Sequence, residues 1–401
     1  MKIYFVVRSC FPNGLATTAR VLNYCKGFLD NEIPCEVIIP VAIERHEEPI
    51  KNTEYKGVFD GIPFQYISKN PRRSRFLLYR KVKDVFDYIK TLFYLLNNLA
   101  KDDIVLVYEG GCKWFKFLSI VAHMKQSHIV MELNELPYGT GSETPQKKKL
   151  RNKMLKDIFP LFDGFITISE TLSQLVRQFS PESRIIKVPI IVDTSIPSNI
   201  TQVKDIKRPY LFHSGTLTEQ KDGVSGMLEA FAIANKKLGY KLDYVFTGYL
   251  EKSKDYTLIK HTIEKYNIKD YVHFLGYLSN EELKNYQSNC LATIINKFDN
   301  QQNKYCFSTK LGEYLIFKKP IIITDVGEAM FYLNNDNSYI VEPCNTQLIA
   351  EKIIAIVNNP SEAKKKGIEG YRLANEVFNY KYQAKRLVSF FYNLKSDYKD
   401  C

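Results

Sequence analysis

The segment Phe307-Ser308-Thr309-Lys310-Leu311-Gly312-Glu313-Tyr314-Leu315, followed by Lys319-Pro320-Ile321-Ile322-Ile323-Thr324-Asp325-Val326-Gly327, reads as loop, helix, buried strand and small-residue turn. A helix opening at Ser308 and Thr309 presents unpaired backbone N–H groups and the positive end of its dipole, which suits a diphosphate. Glu313 falls about one turn further in, where a carboxylate accepts hydrogen bonds from the vicinal hydroxyls of a sugar. Lys310 either assists phosphate binding or is an exposed helix lysine. Phosphate together with polyol points to a nucleotide-sugar.

Such a site needs strands to carry its loops, and the chain supplies them. Short apolar runs alternate with longer segments of 3.6-residue period, the pattern of parallel strands crossed by helices. In the first half the expected strands are Ile3 to Val7, Cys35 to Ile39, Ile104 to Tyr108, Ile129 to Leu133 and Gly164 to Ile168. The pattern restarts after Pro197, with Tyr210 to His213, Leu242 to Thr247, Val272 to Phe274, Cys290 to Ile295, Ile321 to Thr324 and Tyr339 to Val341. Residues 198–208 are polar and aperiodic and read as a linker. Two doubly wound α/β domains are therefore expected, over 1–197 and 209–379. Open sheets of this kind bind ligands at the carboxyl ends of their strands, so the cleft between the two sheets is the expected site.

The first half offers its own candidates. Cys10-Phe11-Pro12-Asn13-Gly14 follows the first strand, and Gly14 either lets backbone amides approach a donor phosphate or serves a simple strand-to-helix turn. Met131-Glu132-Leu133-Asn134-Glu135 puts two carboxylates at a strand end, where Glu132 and Glu135 are candidates for acceptor binding or proton handling, against capping or solvated roles. Glu109, beside Gly110 and Gly111, is a weaker candidate of that kind. Pro71-Arg72-Arg73-Ser74-Arg75 leads into Phe76-Leu77-Leu78-Tyr79-Arg80-Lys81, a basic cluster joined to apolar residues that suits either an anionic lipid surface or a helix with a solvated basic start.

Composition narrows the partners. The 401 residues carry 56 basic and 44 acidic side chains, a formal net charge of +12, which favours anionic ligands. No zinc-finger spacing, RNA-binding aromatic motif or concentrated basic helix supports nucleic acid. The eight cysteines are scattered singly and the six histidines form no ligand pattern, so no metal and no cofactor are expected. His213, inside an apolar strand, reads as a buried hydrogen-bonded histidine. A strand beginning at Lys2 leaves no room for a signal peptide, so a cytoplasmic protein is expected, and no stretch approaches the roughly 18 apolar residues that span a bilayer.

The Ser308–Tyr314 segment resembles the donor-site signature of retaining glycosyltransferases of the two-Rossmann-domain architecture (GT-B), in the large GT4-like group that contains many bacterial capsule and lipopolysaccharide enzymes. Leu211-Phe212-His213-Ser214-Gly215-Thr216-Leu217 and Lys221-Asp222-Gly223 resemble that family's strand, glycine loop and diphosphate-gripping lysine. Val272-His273-Phe274-Leu275-Gly276-Tyr277, then Asn280-Glu281-Glu282-Leu283, resemble its base-binding strand and next helix. Ile166-Thr167-Ile168-Ser169-Glu170 and Val188-Pro189-Ile190-Ile191-Val192-Asp193 resemble its last N-domain strand and proline segment.

The resemblance implies a metal-independent transfer of sugar from a nucleotide-diphosphate donor to a saccharide or lipid-linked acceptor, with retention at the anomeric carbon. It places Gly215, Thr216, Lys221, Gly248, Phe274, Leu275, Ser308, Thr309, Lys310 and Glu313 at the donor, and a closing helix over 380–397 against the first domain. Two departures stand out. Thr216 occupies the place of a common arginine, and Tyr305 that of the first glutamate in the family's E-x7-E motif, of which Glu313 is the second. A nucleotide-sugar epimerase, or a catalytically silent nucleotide- or glycan-binding partner subunit, is the alternative.

Overall fold

The computed structural model describes residues 1–46, 50–139, 141–195, 200–215 and 217–396. They form two compact units, Met1–Asp193 with the chain from Tyr380 onward, and Thr194–Asn379.

The first unit is built on strands β1 (Ile3–Val7), β2 (Cys35–Ile39), β3 (Lys56–Phe59), β4 (Ile62–Tyr66), β5 (Ile104–Tyr108), β6 (His128–Leu133), β7 (Gly164–Thr167) and β8 (Arg184–Lys187), in the order β3-β4-β2-β1-β5-β6-β7-β8. All pairs are parallel except the β3–β4 hairpin. Burial on both faces accounts for the unbroken apolar runs of β1 and β5. Helices α1 (Ala16–Asp30), α2 (Leu77–Asn98), α3 (Cys112–Met124), α4 (Pro145–Lys153) and α5 (Glu170–Phe179) connect the strands. The sequence reading missed β3, β4 and β8. β3 and β8 are edge strands, exposed or half-exposed, so neither repeats an apolar pattern. The hairpin had a local signal nonetheless: Asp60 and Gly61 both take positive φ, 48° and 78°, the Asp-Gly turn that matches strand twist.

In the second unit, β9 (Tyr210–Ser214), β10 (Asp243–Thr247), β11 (Val272–Phe274), β12 (Ala292–Ile295), β13 (Ile321–Thr324) and β14 (Tyr339–Val341) form an all-parallel sheet ordered β11-β10-β9-β12-β13-β14. Its helices are α6 (Glu219–Asp222), α7 (Val224–Lys237), α8 (Tyr256–Lys265), α9 (Asn280–Asn289), α10 (Gln301–Tyr305), α11 (Thr309–Leu315), α12 (Thr346–Asn358) and α13 (Pro360–Leu373). The strand order reverses between β9 and β12, which makes their carboxyl ends the place where such a sheet takes a ligand.

Residues 198 and 199 lie outside the described residues. The rest of the expected linker is held on the second unit: the Thr201 amide donates to Asn285 Oδ1 at 3.0 Å and Arg208 pairs with Asp243 at 3.0 Å. The last helix, α14 (Tyr380–Ser396), belongs to the first unit, where Leu387 and Phe391 are buried in its core and Phe391 meets Phe28 at 5.9 Å between ring centres.

Candidate active site

At the β9–β12 reversal four side chains converge. β9 ends at Ser214 and the chain turns at Gly215. A Cβ there would stand 2.6 Å from Lys310 Nζ and 3.0 Å from Asp222 Oδ2, so a side chain at this position would displace the Lys310 ammonium. Gly248, after β10, takes φ +104°, and its missing Cβ would stand 2.3 Å from the Gly215 carbonyl oxygen. Two strand-end loops thus touch backbone to backbone, and Gly248 must be bare for it.

Lys310, in the first turn of α11, ion-pairs with Asp222 Oδ1, and Lys297, just past β12, stands 3.7 Å from the same oxygen. The Lys297 ammonium also donates to the Lys221 carbonyl at 2.6 Å. Burial alone would raise the Asp222 carboxyl, but Lys310, His213 and Lys297 together outweigh it and hold it well below the usual carboxylate range. His213 is buried and donates from its ring to the Ile294 carbonyl at 3.2 Å, and burial first and then Lys310 lower its pKa. Tyr314, one helical turn beyond Lys310, accepts a hydrogen bond from the Ser214 amide at 2.9 Å. α11 is therefore pinned to the β9 loop at two points. Its opening amides, next to Ser308 and Thr309, lie in its first turn, where helical N–H groups have no carbonyl of their own helix to meet.

Glu313 lies in the same helix, and burial pushes its carboxyl up to about 7, against the opposing Lys310 charge. The Gly248 amide donates to the Gly276 carbonyl at 2.6 Å and the Leu275 amide to Phe246 at 2.9 Å, which sets the 274–277 turn beside the Gly215 loop. The Phe274 ring stacks on Phe246 at 5.3 Å and packs against the core, so any contribution it makes to a ligand comes from its backbone.

Several expectations change. Lys310 is not an exposed helix lysine, because its side chain is only 17% exposed and paired. Lys221 is exposed on α6 and its side chain is not among the groups that converge on Asp222. Thr216 lies outside the described residues. Tyr305 closes the short helix α10. Asp222, Lys297 and Tyr314 were missed as site residues. Lys297 had one signal, its place directly after an apolar strand run, and Asp222 had its place beside Lys221 before Gly223.

In the first unit Glu132 does not face solvent. It is buried, 3% exposed, and accepts from Arg20 Nε at 2.6 Å and from Tyr24 at 3.3 Å. Arg20 donates further to the Val188 and Pro189 carbonyls. The carboxylate expected to be open at the strand end is thus engaged in a buried ion pair with Arg20. Glu135, two residues past β6, is exposed. Gly14 sits where a Cβ would overlap Thr18 Oγ1, which donates to the Cys10 carbonyl at 2.5 Å, so the turn reading explains this glycine. Glu109 is exposed at φ 65°.

Residues 199–373 match the family model for glycosyl transferases group 1. No curated protein matches the chain. Among solved structures, the fold is similar to sucrose-phosphate synthase from Thermosynechococcus elongatus, with TM-score 0.75 and 14% identity over 99% of this chain and 100% of that one. It is similar to Anabaena HepE in complex with UDP and glucose, with TM-score 0.71 and 14% identity over 98% and 100%. The pneumococcal O-GlcNAc transferase GtfA in complex with UDP and GlcNAc gives TM-score 0.66 and 13% identity over 98% and 99%. These likenesses establish an α/β fold of two Rossmann-like domains, that of GT-B glycosyltransferases.

Proposed function

We propose that this chain, which carries a glycosyl transferases group 1 domain, moves a sugar from a nucleoside-diphosphate donor to a glycan or lipid-linked glycan acceptor. The observation that carries the reading is the pair of lysines gathered on Asp222 beside the bare Gly215 loop. In the free protein the Asp222 carboxylate offsets one of their two positive charges. A donor diphosphate placed on the loop becomes their second anion. As the bond from the sugar's anomeric carbon to the diphosphate oxygen breaks, its electron pair goes to that oxygen. Lys310, Lys297 and the first amides of α11 stabilise the charge in a site that water screens poorly. The acceptor oxygen bonds to the anomeric carbon and passes its proton to the departing diphosphate oxygen. Lys221 is a third cation, from the exposed rim.

Retention and metal independence are part of this reading. Their support is the resemblance of residues 308–314 to retaining enzymes and the use of lysines where a cation is needed. Bacterial surface-polysaccharide assembly, in the cytoplasm, is the setting that the same resemblance favours. The test is a thermal-shift panel of UDP-, GDP-, ADP- and CDP-sugars, followed by transfer assays with the stabilising donor and a panel of glycan acceptors. Stabilisation by one nucleotide class, about 2.7 kcal/mol at a hundredfold excess over Kd, together with acceptor-dependent release of nucleoside diphosphate, is the expected result. Donor binding with no turnover identifies a silent subunit, the reading that Tyr305 in place of a glutamate favours. Conversion of the sugar with no acceptor identifies an epimerase.

Glu313 gives the donor site a pH signature. Its pKa is raised from the ordinary 4.5 to about 7 by burial, so the protonated form favours the folded state and that contribution is lost as pH rises from about 4.5 through 7. Ribose hydroxyls donate to the carboxylate, not to the acid, so donor binding runs the other way. Calorimetry with the selected nucleotide-sugar, whose diphosphate does not titrate in this range, is expected to show affinity rising up to about tenfold per pH unit below 7 and levelling above it. Glu313→Gln flattens the profile. A flat profile in the wild type removes Glu313 from the ribose.

A further inference from the structure

α2 is built inside out. The side chains it buries in the first unit are Asp87, Thr91 and Leu95, two of them polar. Asp87 pairs there with Lys83 through Oδ2 at 2.6 Å, and Lys90 stands 3.6 Å from its Oδ1. On the opposite side Leu78, Val82, Val85, Phe86, Ile89 and Phe93 stand between 43% and 82% exposed. At 3.6 residues per turn these six positions fall within an arc of roughly 100° and extend along about 22 Å of helix. Lys81 and Lys90 flank the stripe, about 90° to either side. α3 packs alongside, Trp114 against Tyr88 at 4.6 Å, and exposes Phe117, Ile120 and Met124. An apolar band of this extent is rarely left facing water.

At the amino end of α2 a concavity of about 600 Å³ is lined by Arg45, His46, Arg73, Ser74, Arg75 and Arg80. Burial and then the charges of Arg8, Arg80 and Arg45 lower Arg73, with Asp84 the opposing carboxylate. Cations are crowded here beyond what local acids neutralise.

We propose that α2 lies in the surface of an anionic membrane, its apolar stripe among the acyl chains and the arginine-lined concavity on the phosphate headgroups. The charge pattern selects this occupant over a second copy of the chain. Two such helices face to face bring lysine flanks and arginine concavities of one sign together, whereas anionic lipid complements both. Lys81, beside the stripe, can lay its stem along it and keep its ammonium at the headgroup level, while Lys90 stands 3.6 Å from Asp87. The proposal does not depend on the donor site.

The experiment is vesicle flotation of the full chain with phosphatidylcholine alone and with phosphatidylcholine containing phosphatidylglycerol. The variants are Phe86→Glu/Phe93→Glu, which alters only exposed positions, and Arg75→Ala/Arg80→Ala. Flotation with the anionic vesicles is expected, reduced about tenfold or more by the glutamates and about fivefold for each arginine removed. A cooperative melting transition at the wild-type temperature confirms that each variant is folded. No flotation of the wild type on anionic vesicles, or flotation that the glutamate variant leaves intact, overturns the proposal. So does a wild-type dimer in sedimentation velocity that the glutamate variant dissociates while no vesicle binds.

Discussion

Lys310→Met is expected to lower kcat for sugar transfer by about 10²–10³, the usual effect of deleting one preorganised group that meets developing negative charge. Its side chain is mostly buried against Asp222 and stands next to the space left by Gly215. The ammonium is therefore held in place before the donor arrives, and little reorganisation is needed as the diphosphate departs. Loss of Lys310 also leaves Asp222, among the described residues, with Lys297 at 3.7 Å and His213 at 3.9 Å, so the single variant should be less stable as well as slower. The double variant Asp222→Asn/Lys310→Met separates the two effects. With both charges gone, most of the thermal stability returns and the activity does not. Lys221→Met, at an exposed lysine in high dielectric, is expected to cost less than Lys310→Met. Rates from purified protein with saturating donor, read beside melting curves, decide it. Full activity in folded Lys310→Met would remove the lysine pair from catalysis and with it the leaving-group account.

The parts of this site that could be read in the sequence were those written locally. The opening of α11 at Ser308 and Thr309, the turn at Gly215 and the strands on either side follow from short-range pattern, and the structure has them within a residue or two. What could not be read was pairing across the fold. Lys310 and Asp222 are 88 residues apart, and Arg20 and Glu132 are 112 apart. No periodicity specifies such contacts. Glu132 shows the consequence: a carboxylate at the end of a strand looks equally suited to substrate or to an internal partner until α1 is seen to deliver Arg20. α2 misleads in another way. Its 3.6-residue apolar period marks a helix correctly, but period alone does not say that the apolar face is turned outward. Asp87 and Thr91 on the opposite face carried that information, and a buried polar pair is read as such only once its partners are known.

Glu132→Ala should destabilise the first unit by about 3–5 kcal/mol, because removing one partner of a buried ion pair leaves the other charge unpaired. Arg20 is 4% exposed, so water does not replace the lost carboxylate. Its remaining bonds, to the carbonyls of Val188 at 2.9 Å and Pro189 at 2.7 Å, supply dipoles but no countercharge. The same guanidinium ties α1 to β6 and to the segment after β8, so the loss should reach across the sheet. Melting is expected to fall by about 10 °C, at roughly 2–4 °C per kcal/mol for a domain of this size. Arg20→Met/Glu132→Leu removes both charges and fills the space with apolar atoms, and should recover most of the lost stability. Transfer activity distinguishes this from a role in proton handling. If Glu132 only holds the fold, the double variant, assayed below its melting point, regains turnover along with stability. A double variant as stable as the wild type but without activity would return Glu132 to the chemistry and make Arg20 the group that tunes it.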